Sequence, residues 1–141
     1  MKILKIKTEK RRVGDLGERA AARFLRRHGY RILERNYVAC GSEIDIIAQD
    51  RTHIAFVEVK TRNVGSDNPK EPRPASAVTP EKQRKIITAA SYYKAYHPNE
   101  RRMRMDIIEV YVEGAAGKER VKEINHMTGA YDRSSCKVYK I

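Results

Sequence analysis

Between Gly41 and Arg62 the chain reads GSEIDIIAQDRTHIAFVEVKTR, two apolar runs of strand character joined by a polar turn. Ile44 to Ala48 and Ile54 to Val59 have the length, the β-branched content and the separation of a hairpin. A hairpin of this composition belongs in a sheet core, yet it carries Asp45, Glu58 and Lys60 at positions where a core strand is hydrophobic. Whatever fold the chain adopts has to accommodate those charges.

Side chains alternate along a strand, so Glu43 and Asp45 are expected on one face of the first strand and Glu58 and Lys60 on one face of the second. If the strands are neighbours, the four polar groups converge among Ile47, Ile54 and Phe56. An unpaired carboxylate in such surroundings is costly, or its pKa moves until it neutralises. Lys60 balances part of the charge, and a divalent cation would complete the balance. Oxygen ligands without histidine or thiolate favour Mg²⁺ or Mn²⁺ over zinc. Asp45 and Glu58 would hold that metal, with the carbonyl of Val59 as a further ligand. Lys60 would position or activate a water and offset developing charge, the requirements of phosphodiester hydrolysis. Taken alone, the same residues also describe an exposed hairpin with a cross-strand acid–lysine pair, which is common on sheet surfaces.

Charge narrows the partner. The chain has 141 residues, 30 Lys and Arg against 18 Asp and Glu, and a formal charge of +12. Residues 1–40 hold 12 basic and 4 acidic side chains, a net of +8, which leaves +4 for the other 101. A balance this basic points to a polyanion, with nucleic acid ahead of an anionic membrane surface. The length suits one domain with a core large enough to need no disulfide or structural metal. Cys40 and Cys136 have no CxxC partner, and His28, His53, His97 and His126 lack zinc-ligand spacing. The opening MKILKIKTEKRR is too short in apolar residues for a signal peptide, and no stretch reaches the length of a membrane span. A cytoplasmic location is expected.

A first helix is expected from a cap at Asp15, with Leu16, Ala20, Ala21, Phe24 and Leu25 as its apolar stripe and RRHG as its end. Residues 1–12 are then a basic arm, read as a mobile terminus, a short edge strand or a phosphate clamp, and 13–141 a single domain. YRILERNY adds a strand before the hairpin, making an antiparallel meander of three. Pro69, Pro72 and Pro74 mark a long irregular segment from about Asn63 to Val78. Thr79-Pro80-Glu81 starts a second helix, which Pro98 stops near His97, with Ile86, Ile87, Ala90 and Tyr93 inward and Lys82, Arg84 and Lys85 largely outside that face. MDIIEVYV and VKEINHM follow as two further strands.

GDLGERAAARFLRRHGYRILERN, EIDIIA followed by FVEVKTR, AVTPEKQRKIITAASYY, MDIIEV and INHMTGAY occur in that order. In this series the chain resembles the bacterial YraN family, which is similar to the archaeal Holliday-junction resolvases of the PD-(D/E)xK nuclease superfamily. The resemblance covers about Val13 to Tyr131. It implies an α/β fold of the restriction-endonuclease-like type, a mixed central sheet flanked by helices. It makes Asp45 the central metal-binding aspartate, and Glu58 and Lys60 the acid and lysine of the ExK half. Glu18 matches the helix glutamate of the resolvase-like group, which approaches the same metal or an attacking water. Glu43 and Gln83 are secondary candidates. The family usually has glycine where this chain has Ser42, with Gly41 one place earlier; positive φ at that position would strain a serine. The resemblance also implies a homodimer. The functional expectation is a Mg²⁺- or Mn²⁺-dependent endonuclease acting on DNA, including branched or structured DNA; the competing one is a noncatalytic nucleic-acid-binding module that keeps the fold.

Overall fold

The computed structural model describes residues 2–64 and 78–134, the first seven of them as backbone only. Elements follow in the order α1 (Lys2–Arg27), β1 (Arg31–Ala39), β2 (Ser42–Gln49), β3 (His53–Asn63), α2 (Pro80–Tyr96), β4 (Arg102–Glu113) and β5 (Arg120–Tyr131). The five strands form one sheet in the order β1-β2-β3-β4-β5. The β1-β2, β2-β3 and β4-β5 pairs are antiparallel, and β3-β4 is parallel, joined across the segment that contains α2. This is the mixed sheet with flanking helices that a restriction-endonuclease-like fold requires.

Alternation along the central strands sorts two cores. On one face Ala21, Ala22 and Leu25 of α1 pack on Ile46, Ala48, Ala55, Val57, Ile108 and Val110. On the other, Ile86, Ala89, Ala90 and Tyr93 of α2 pack on Ile47, Ile54, Phe56 and Ile107. Central strands buried on both faces explain the near-continuous apolar runs in β2, β3 and β4. No helix among the described residues is long and apolar enough to cross a membrane.

Helix α2 matches its expected bounds. Thr79 Oγ1 accepts the backbone N–H of Lys82 at 3.2 Å, Pro80 opens the first turn, and His97 closes the end by donating its backbone N–H to the Tyr93 carbonyl. Helix α1 differs at its start. It begins at Lys2 and passes through Asp15 without a break, so Asp15 is an interior residue rather than a cap, and the expected arm is the helix's first half. Its end fits: Tyr30 N–H reaches the Leu25 carbonyl and Gly29 N–H the Arg26 carbonyl, the bond pair of a Schellman motif. The irregular segment expected from about Asn63 to Val78 falls mostly on 65–77, and Cys136 on the last seven residues, outside the described residues.

A buried ion cluster ties the far side of the sheet together. Asp106 on β4 is fully buried and takes two bonds of 2.8 Å from Arg104, with His126 Nε2 at 2.8 Å and the backbone N–H of Gly129 at 3.0 Å. Burial alone would push the Asp106 carboxyl up, but the bonds from His126, Arg104 and Gly129 hold it below the usual aspartate range. Arg104 also donates to the Tyr30 hydroxyl at 2.6 Å, linking β4 to the end of α1.

Candidate active site

The β2-β3 ladder runs from Gln49 and Ile54 only as far as Ile46 and Val57. Beyond that pair the strands separate, and Asp45 fills the gap with its side chain. Its Oδ2 accepts the backbone N–H of Val59 at 2.8 Å, a donor that a continued ladder would have given to a main-chain carbonyl. The pleat changes here too, since Ile44 packs into the α2-side core and Ile46 into the α1-side core. Strict alternation, the basis for expecting Glu43 and Asp45 on one face, therefore does not hold through this part of β2.

Asp45, Glu58, Glu18 and Val59 line one cleft of about 740 Å³, together with Arg12, Thr61 and Glu119. Burial and the nearby Glu58 push the Asp45 carboxyl up to about 7. Glu58 itself is 7 % exposed. Its Oε1 lies 3.3 Å from Lys60 Nζ and 2.7 Å from Nζ of Lys82. The second lysine was expected outside the packed face of α2. Being three residues past the cap at Thr79, it instead extends from the first turn of α2 onto β3.

Glu18 reaches the cleft because α1 crosses β3 at very short range. A Cβ on Gly17 would collide with the side chain of Thr61, so glycine is what permits this approach. Burial raises the Glu18 pKa, with Arg35 opposing the shift. Asn36 stands between the acids at φ 54°, a left-handed conformation that asparagine tolerates better than most residues. With its amide nitrogen turned toward them, Asn36 donates to Glu18 Oε1 at 2.9 Å and to Glu43 Oε1 at 3.1 Å. Glu43 is thus tied to Glu18 through Asn36, a residue that strand alternation gives no reason to single out.

Gln83 donates its side-chain amide to the Val78 carbonyl at 3.0 Å, bracing the entry to α2. The positive φ considered for Ser42 falls instead on Cys40 and Gly41, at 53° and 71°, the pattern of a two-residue hairpin turn between Ala39 and Ser42. Serine at 42 therefore carries no such strain. Glu109, in register with Lys60 across β3 and β4, is a further buried acid. Asn125 at 2.7 Å and the Tyr111 hydroxyl at 3.1 Å both donate to it.

The side chains that meet at Asp45 offer only carboxylate oxygens, its own and those of Glu58; Val59, whose main-chain carbonyl would add a further oxygen, lines the same cleft with Glu18. That chemistry fits a hard divalent cation better than zinc. Among the described residues no three His, Cys, Asp or Glu side chains gather closely enough to hold a metal by themselves. An ion here would depend on the carbonyl and on water to complete its shell.

Residues 17–110 match the Uncharacterised protein family UPF0102. The chain belongs to the UPF0102 family. It is 43 % identical over 121 residues to a UPF0102 protein of Chlorobium phaeobacteroides strain BS1, covering 84 % of this chain and 93 % of that one. A UPF0102 protein of Caldanaerobacter subterraneus is 40 % identical over 134 residues, covering 89 % and 98 %. One from Geobacter metallireducens is 40 % identical over 124, covering 85 % and 92 %. The UPF0102 match begins at Gly17 and ends at Val110, and so spans Glu18, Asn36, Glu43, Asp45, Glu58, Lys60, Lys82 and Gln83.

Proposed function

We propose that the chain is a metal-dependent endonuclease of the PD-(D/E)xK type, hydrolysing DNA phosphodiester bonds. The observation that carries this reading is the half-buried Asp45 carboxyl set beside buried Glu58 where the β2-β3 ladder ends. A sheet core does not gain stability from two carboxylates placed together, so their retention needs a cation or a reaction. Asp45, Glu58 and the Val59 carbonyl would hold Mg²⁺ or Mn²⁺, which supplies a polarised phosphoryl oxygen and a water of lowered pKa.

The chain's own side chains supply the rest. The Val59 N–H fixes one oxygen of Asp45, leaving the other free to act. Lys60, anchored on Glu58, offers a positive charge to the oxyanion that develops at phosphorus. Glu18, oriented by Asn36, can accept a proton from an attacking water. The overall charge of +12 suits a polyanionic substrate. One observation favours a second reading, a binding module without cleavage: Lys82 and Lys60 already offset the charge of Glu58.

A cleavage screen of linear, flapped and four-way-junction DNA with Mg²⁺ or Mn²⁺, using Asp45→Ala as the blank, tests the proposal. Metal-dependent cleavage by the wild type alone supports it. DNA binding with no cleavage of any substrate selects the second reading.

A further inference from the structure

Glu18 lines a second cavity besides the acidic cleft. This groove, of about 550 Å³, is walled by Arg11, Arg12, Arg19 and Arg35, with Asp15 and Asn36. Arg12 and Glu18 belong to both cavities, so the groove and the cleft adjoin. Arg11, Asp15 and Arg19 recur at four-residue intervals and therefore share one face of α1. Arg35 reaches the groove from β1, the edge strand of the sheet.

The four guanidiniums are not equally available. Arg12 makes a two-pronged bridge to Glu119, both bonds 2.7 Å long. Arg11, Arg19 and Arg35 form no hydrogen bond or ion pair among the described residues, and all three are exposed. Arg11 and Arg19 are separated along the helix axis by about 12 Å. Phosphates of one duplex strand recur every ~3.4 Å along the DNA axis, so that span corresponds to roughly three to four of them. Three exposed guanidiniums set along one groove by two elements suit a phosphate polymer, which can offer each of them its own phosphate.

Resting on the nuclease reading above, we propose that this groove seats the DNA backbone flanking the cleft. Arg11, Arg19 and Arg35 take non-bridging phosphate oxygens through their planar forks. The strand then passes Glu18 and delivers the next phosphate to Asp45 and Glu58. Asp15, midway between Arg11 and Arg19 on the same face, repels that strand and weakens its hold.

The test is fluorescence anisotropy of a labelled duplex with the full chain in Ca²⁺, with the DNA checked for integrity on a gel. The triple variant Arg11→Ala/Arg19→Ala/Arg35→Ala, shown by circular dichroism to be folded, should bind at least about tenfold more weakly near 0.15 M salt, and its log–log salt slope should fall by ~2–3. Asp15→Asn should bind more tightly than wild type. Arg51→Ala, an exposed arginine of the β2-β3 turn outside both cavities, should leave affinity and slope within twofold and ~1 respectively. If the wild type binds DNA and the triple variant keeps its affinity and slope, the groove is a solvated face and the inference fails while the nuclease reading stands. Wild-type protein that binds no DNA overturns both.

Discussion

Nζ of Lys82 lies closer to Glu58 than Nζ of Lys60 does, 2.7 Å against 3.3 Å. Glu58 is therefore held by two elements, its own strand and the first turn of α2. The two lysines differ in what they can do. Lys60, with 21 % of its side chain exposed, is fixed to β3 beside the acids, whereas Lys82 is exposed to twice that extent and comes from a separate helix.

Lys60→Ala should leave duplex affinity within about threefold, since one cation among many phosphate contacts contributes little, and lower the cleavage rate by roughly 10²–10³. Lys82→Ala should change that rate by no more than about tenfold, its charge being one step removed from the reacting phosphate. Single-turnover cleavage beside anisotropy measures both. Equal effects of the two substitutions on rate would count against Lys60 as the group facing the phosphate.

Asp45→Asn should abolish Mg²⁺ or Mn²⁺ binding in a calorimetric titration, and unchanged affinity would remove Asp45 from the ligand set. The same variant carries a pH signature. The Asp45 carboxyl is raised from 3.8 in a free chain to about 7 when folded, so the folded state binds the extra proton between those values. Its contribution to stability is complete below the lower value and is lost as pH rises through the upper one. Without metal, the melting temperature of Asp45→Asn relative to wild type should therefore climb between pH 5 and pH 8, at roughly 4 °C for each kcal/mol relieved. A constant difference across that range would contradict the buried-acid assignment.

Asp106→Ala should cost about 3–5 kcal/mol in urea unfolding at pH 7, because it leaves the largely covered guanidinium of Arg104, 16 % exposed, without its carboxylate. The Asp106 carboxyl is held below its free value in the folded state, so its stabilising effect is present above that free value and lost as pH falls through the folded one. The penalty of the substitution should shrink in strongly acidic urea titrations. Metal affinity at Asp45 should not change, since the two clusters share no residue.

Gly17→Ala should destabilise by ~1–3 kcal/mol, the usual range for overpacking, as α1 backs away from Thr61. Cleavage should fall further than stability, because Glu18 moves with the helix. Gly17→Ala combined with Thr61→Gly, which removes the opposing side chain, should recover part of both. Recovery of neither would mean that the close crossing is not what seats Glu18.

Much of the frame was legible in local pattern. Apolar runs of strand length joined by a polar turn marked β2 and β3, and Thr79-Pro80 and Pro98 bracketed α2. Asp15 misled because aspartate is a good cap, but an interior aspartate costs a helix only a few tenths of a kcal/mol, roughly, and the helix runs on through it. Lys82 was hidden because its reach depends on how Ile86 and Tyr93 seat α2 over β3, a tertiary matter. Asn36 was hidden by a backbone angle, and the Asp106–His126 contact by the register that folds β5 back on β4.

The parallel pairing of β3 with β4 has a kinetic side. The β1-β2-β3 meander involves only near neighbours in sequence and can form early, whereas β3-β4 must wait for the crossover through α2 to close. Asp45 and Glu58 would then meet in the meander before Lys82 arrives to balance them, and the site acquires its second cation among the last steps of folding. Losing Lys82 should accordingly speed unfolding while leaving the refolding rate almost untouched, the signature of a contact absent from the transition state.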